Sequence, residues 1–110
     1  MVDEYGDEVN YVMLEPREYL DNAVVNAVRD MKDSSCHLVY SERLLKHWYG
    51  LYFAHARLKK RKVKHITRTS LEKEYKDNFE EIDQEACEWV EYNTLRSMPY
   101  MGENRPLLAM

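Results

Sequence analysis

Between Glu42 and Glu72 the chain carries no acidic residue, whereas Arg43, Lys46, Arg57, Lys59, Lys60, Arg61, Lys62, Lys64 and Arg68 all lie there. These nine are more than half of the sixteen Lys and Arg residues, and the other seven share the rest of the chain with all twenty Asp and Glu. A net charge of -4 therefore conceals a segment of about +9 and a remainder of about -13. Charge segregated in this way repels itself unless the fold or a partner offsets it, so the basic segment is the strongest pointer to a binding surface.

The length of 110 residues suits one domain, read as 11–110, behind a mobile acidic tail at 1–10. Hydrophobic content of 45% with 12% aromatics is enough to support a core. No apolar run approaches the ~20 residues of a membrane span. The start, Met-Val-Asp-Glu-Tyr-Gly-Asp-Glu, lacks the basic and apolar stretches of a signal peptide, so the expected location is the cytosol. There Cys36 and Cys87 read as small apolar side chains rather than as a disulfide. Cys36-His37 is an adjacent pair, and His47 and His55 would stand ~12 Å apart along one helix, so no ligand set has zinc-like spacing. With three glycines and no Gly-rich loop, a nucleotide cofactor is not expected.

Three helical stripes organise the chain into a mainly α fold of three or four helices. A small two-stranded sheet near 37–41 and 106–109 is the α+β alternative. Leu20, Ala23, Val24, Ala27, Val28 and Met31 recur at three- and four-residue spacing behind Pro16, which predicts an amphipathic helix over 16–32. Asp33-Ser34-Ser35 breaks it, and Cys36-His37-Leu38-Val39-Tyr40 reads as a short strand. Ser41 is a good N-cap for a helix running to about Lys60, with a stripe from Leu44 through Trp48 to Ala56. Gly50 inside that stripe costs about 1 kcal/mol against Ala, which suggests close packing against a neighbour. Thr69 and Glu72 have capping-box spacing and predict a third helix from near Ser70, open to a break near Glu81. Its stripe is Leu71, Tyr75, Phe79, Ile82, Ala86, Trp89 and Asn93. Pro106 to Met110 is expected to return as a strand beside Leu38-Val39-Tyr40.

Candidate sites divide into cationic and structural ones. Arg57, Lys59, Lys60, Arg61, Lys62, Lys64 and Arg68 form the candidate partner-binding block, for an acidic protein or the protein's own acidic shell, for nucleic-acid phosphates, or for solvent alone. Charges that cover most of a helix circumference favour diffuse contact over base readout. Trp48 and Trp89 on the apolar stripes read as structural. Asn93 does too, as a buried amide reaching the loop 98–104. His37 and His65 show no nucleophile or carboxylate beside them, and Ser34-Ser35 reads as a turn. The residues therefore indicate no enzyme and no metal.

The segment Glu88-Trp89-Val90-Glu91-Tyr92-Asn93-Thr94-Leu95-Arg96, then Pro99-Tyr100-Met101-Gly102 and Arg105-Pro106-Leu107-Leu108, has a distinct pattern. So has Tyr19-Leu20-Asp21-Asn22-Ala23-Val24-Val25, with the turn Leu38-Val39-Tyr40-Ser41. Together they resemble short proteins encoded mainly by phages and prophages, over about half of the chain. The pattern departs at Asn26, where Gly is expected, and in the stretch 57–68, which looks inserted. The resemblance implies viral origin and a small accessory role, not a mechanism. The combined expectation is a phage accessory protein that binds a macromolecule in the host cytosol. A host protein that it inhibits or recruits comes first, anti-defence being one such role. Nucleic acid bound through 57–68 is the alternative, and self-association through the Glu-rich face of a second copy is a variant.

Overall fold

The computed structural model describes residues 11–32 and 34–109, so the expected tail 1–10 lies outside the described residues. The α+β alternative is the architecture: helices packed with a small mixed sheet. The sheet has three strands rather than two. They are β1 (Val24–Arg29), β2 (Cys36–Ser41) and β3 (Leu107–Ala109), in the order β1-β2-β3. β3 lies parallel to β2 with Val39 opposite Leu107 and Tyr40 opposite Leu108, which is the expected return of the C-terminal segment.

β1 is a correction, because the spacing predicted a helix over 16–32. Only α1 (Arg17–Leu20) and one 3-10 turn (Asp21–Ala23) are helical there. The Asn22 amide donates to the Glu18 and Tyr19 carbonyls at 3.2 and 3.1 Å, occupying acceptors that a continuing helix would need. Beyond it, the β-branched Val24, Val25 and Val28 suit a pleated strand, and antiparallel pairing with β2 satisfies the backbone. The supposed apolar face is buried only at its start, at Leu20 and Ala23; further along, Val28 is 36% and Met31 77% exposed. A tight turn joins the strands. The Asp30 side chain accepts from Lys32 N at 2.9 Å, Asp30 N donates to the Ser35 carbonyl at 2.8 Å, and Ser34 takes φ 62°.

α2 (Glu42–Lys60) runs from Ser41, whose Oγ accepts from Leu44 N at 3.3 Å, to the expected end at Lys60. α3 (Arg68–Asp77) starts two residues earlier than the capping-box spacing suggested. Thr67 and Ser70 form the reciprocal cap, and Glu72 pairs with Arg68 instead. The break before α4 (Phe79–Trp89) falls at Asn78 rather than near Glu81. Asn78 Nδ2 turns back to Glu74 O and Oε1, both at 3.2 Å. Gly50 does meet a close neighbour: a Cβ there would lie 2.0 Å from Tyr75 Cε2.

After α4 the chain winds through a π-helical turn, Val90–Thr94, and a last α turn, Leu95–Ser97. A π turn takes up more residues than an α turn. The buried line runs Ile82, Ala86 and Val90 along α4, and the π turn carries the same four-residue spacing on to Thr94 and Met98. The expected face through Trp89 and Asn93 is displaced: Trp89 is 46% exposed and Asn93 is exposed, not a buried amide. Trp48 sits partly buried at the rim of the core. That core gathers Leu14, Leu20, Leu38, Tyr40, Leu45, Tyr49, Ala86, Val90 and Met98 between sheet and helices. Two phenols also lash the segment 11–15 to it. Tyr40 Oη accepts from Leu14 N at 3.0 Å, and Tyr49 Oη donates to the Glu15 carbonyl at 3.3 Å while accepting from Thr94 Oγ1 at 3.2 Å. No helix among the described residues is long and apolar enough to cross a membrane.

Candidate interaction surface

The basic block stands at the C-terminal end of α2 and in the turn leading to α3. Val63 N donates to Leu58 O at 3.2 Å and Lys62 N to Lys59 O at 3.0 Å, the paired bonds of a Schellman motif. Such a motif needs a left-handed residue just past the helix, usually Gly, and here Lys62 takes it with φ 63°. The turn also fixes which way each cation faces.

The seven candidate residues separate by type. Arg57 reaches Glu81 at 3.2 Å and Glu85 at 3.5 Å on α4. Arg61 pairs with Glu74, whose side chain is 10% exposed and also bonded by Asn78. Arg68 pairs with Glu72 one turn on, at 3.1 Å. The guanidinium suits such carboxylate contacts, and those of Arg57 and Arg61 bring α4 and α3 onto the basic segment, whereas Arg68 and Glu72 pair within α3. Lys59, Lys60, Lys62 and Lys64 all point to solvent, and among the described residues none has a carboxylate in ion-pairing reach. Part of the block is thus neutralised by the protein's own acidic shell. What remains outward is a patch of about +4 carried by lysine alone. Lys59 and Lys60 also face the negative end of the α2 dipole, worth about 0.3–1 kcal/mol each. Lys62 and Lys64 lie past the helix, where that explanation weakens.

His37 requires a further correction. Its Nε2 lies 2.8 Å from Ser35 Oγ, so a hydroxyl does stand beside it. Its Nδ1 lies 2.7 Å from the Arg105 carbonyl. A carbonyl only accepts, so Nδ1 carries the proton, and in the neutral ring Nε2 accepts from Ser35. Ser35 is 2% exposed and His37 8%. With Cys36 N donating to Asn104 Oδ1 at 2.9 Å, the pair latches the C-terminal segment to β2. Sequence spacing could not show this, because Arg105 and Asn104 arrive from 68 residues away.

Cys36 and Cys87 are both free. Burial and the neighbouring Asp83 carboxylate push the Cys87 thiol above its ordinary range, away from the reactive thiolate. Among the described residues no group of His, Cys, Asp and Glu could hold a metal ion. No family model, curated protein or solved structure matches the chain.

Proposed function

We propose that the protein is a small non-enzymatic accessory module that binds an acidic protein surface through Lys59, Lys60, Lys62 and Lys64. The observation that carries this reading is the division of the basic block: its three arginines are engaged by the protein's own carboxylates, and its four lysines are exposed with no carboxylate in reach among the described residues. Lys62 adds to it. It stands in the left-handed region at φ 63°, where a non-Gly residue costs about 1–2 kcal/mol.

Nucleic acid fits the same patch less well. Arg, the better phosphate fork, is already engaged, and the exposed Glu80 and Glu88 of α4 repel a polyanion. The closed surroundings of Ser35 and His37 support a binder over a hydrolase, since a nucleophile must meet its substrate. The resemblance to phage-encoded proteins makes a cytosolic host protein, inhibited or recruited, the favoured partner.

The test is capture from nuclease-treated host lysate by the native chain and by a Lys59→Glu, Lys60→Glu, Lys62→Glu, Lys64→Glu variant. The native chain should retain an acidic protein that the variant loses. Gel shifts of DNA or RNA at ~50 mM salt, with a log–log salt slope near -3.6 for four neutralised phosphates, would instead establish the nucleic-acid reading.

A further inference from the structure

Glu15, Pro16, Tyr49, Tyr52 and Trp89 line an open cleft of about 300 Å3 between the segment preceding α1 and the faces of α2 and α4. Three of the five are aromatic, one is a carboxylate, and none is cationic. We propose that this cleft is a binding site for a weakly hydrated organic cation, a quaternary ammonium group such as that of choline or a trimethylated lysine.

The lining selects the charge of the ligand. Aromatic rings present a negative quadrupole face to cations, and Trp does so most strongly. Glu15 is exposed and its carboxylate is not neutralised by any side chain among the described residues. Its contact is Arg17 N at 3.4 Å, while the Arg17 guanidinium turns to Asp21 at 3.3 Å. An anion would find no counter-charge here. A primary ammonium would have to give up strong hydration, whereas a quaternary ammonium gives up little. The volume is at the small end for ligand cavities, which suits one head group rather than a large molecule.

The rings are also held in place. Tyr49 is fixed at its hydroxyl by Glu15 O and Thr94 Oγ1. Phe53 backs both Tyr49 and Trp89 at 6.0 Å between centroids, and Tyr19 packs on Tyr52 at 5.5 Å. Tyr49 and Trp89 stand 6.5 Å apart. Trp89 remains 46% exposed despite these contacts, which leaves the ring open to a ligand. Preorganised rings lose little entropy on binding.

The test is an NMR titration of the full chain with choline, reading the Trp89 indole N–H with the Trp48 indole as internal control. A saturable shift confined to Trp89 is expected, with 3,3-dimethylbutan-1-ol, the uncharged isostere, binding about tenfold more weakly. Ligand-observed measurements should show Trp89→Phe weakening choline about fivefold and Glu15→Gln weakening it by a similar factor, with the backbone spectrum unchanged. A trimethyllysine peptide that binds more tightly than choline would identify a protein source for the cation; equal affinity would identify a free small molecule. Equal binding of the uncharged isostere, an equal response at Trp48, or no saturable shift would overturn the proposal.

Discussion

Gly50→Ala sets two effects of similar size and opposite sign against each other, and the structure decides which wins. Gly to Ala in a helix interior ordinarily stabilises by about 1 kcal/mol. Here the added Cβ would lie 2.0 Å from Tyr75 Cε2, 2.9 Å from Cζ and 3.0 Å from Cδ2. Carbon atoms rest at about 3.5–4.0 Å, so the ring must retreat by about 1.5 Å. Its freedom is limited, because it packs edge-on against His47 at 5.6 Å and Phe79 at 5.5 Å. Overpacking of this kind costs about 1–3 kcal/mol, and Tyr75 carries α3 with it. The net expectation is a loss of about 1 kcal/mol, a fall in Tm of about 4 °C for a chain this size. Tyr75→Ala removes the obstacle, so in that background Gly50→Ala should stabilise by about 1 kcal/mol. Urea denaturation of the four proteins in the cycle measures the coupling, expected near 2 kcal/mol and well above the ~0.5 kcal/mol scatter of independent sites. Full stabilisation by Gly50→Ala in the native background, or coupling within that scatter, would refute the close-packing argument.

Lys62→Gly should relieve the left-handed backbone and stabilise by about 1 kcal/mol in thermal denaturation, while weakening capture of the partner. Glu74→Ala should destabilise by about 1–2 kcal/mol by denaturant titration; the figure stays modest because Arg61, 59% exposed, regains water. Burial raises the phenols of Tyr40, Tyr19 and Tyr75 above their ordinary 10.0, with Glu18 adding at Tyr19 and Asp83 at Tyr75. The folded state favours the protonated phenol, so stability is full below about pH 10 and falls as pH rises from there through the raised folded values. Denaturation at about pH 8 and about pH 11 should show that loss, and Tyr40→Phe should make it shallower.

What the sequence determined by itself is local. Ser41 caps α2 because a hydroxyl three residues before a free N–H needs no distant partner. The α2 stripe holds because its apolar residues repeat at one helical period over five turns. The C-terminal strand was legible as an apolar run after Pro106, with β2 as the evident place for it. The basic block was legible as charge, and its concentration on one turn follows from contiguity in the chain.

The tertiary structure decided everything that depends on what lies opposite. Leu20 to Met31 has spacing that serves a helix, but its valines pair with β2, which supplies backbone partners that no local pattern can reveal. The π turn at Val90–Thr94 moves burial from Asn93 to Thr94, an offset of one residue that a fixed helical period cannot anticipate. Tyr49 and Tyr52 belong to the α2 stripe, and only the arrival of Glu15 and Trp89 forms an open cleft beside them. Arg57 and Lys59 look alike in sequence. One is spent on Glu81 and Glu85 and the other is left to solvent, because ion pairing is settled by distances across helices, and no single segment contains those distances.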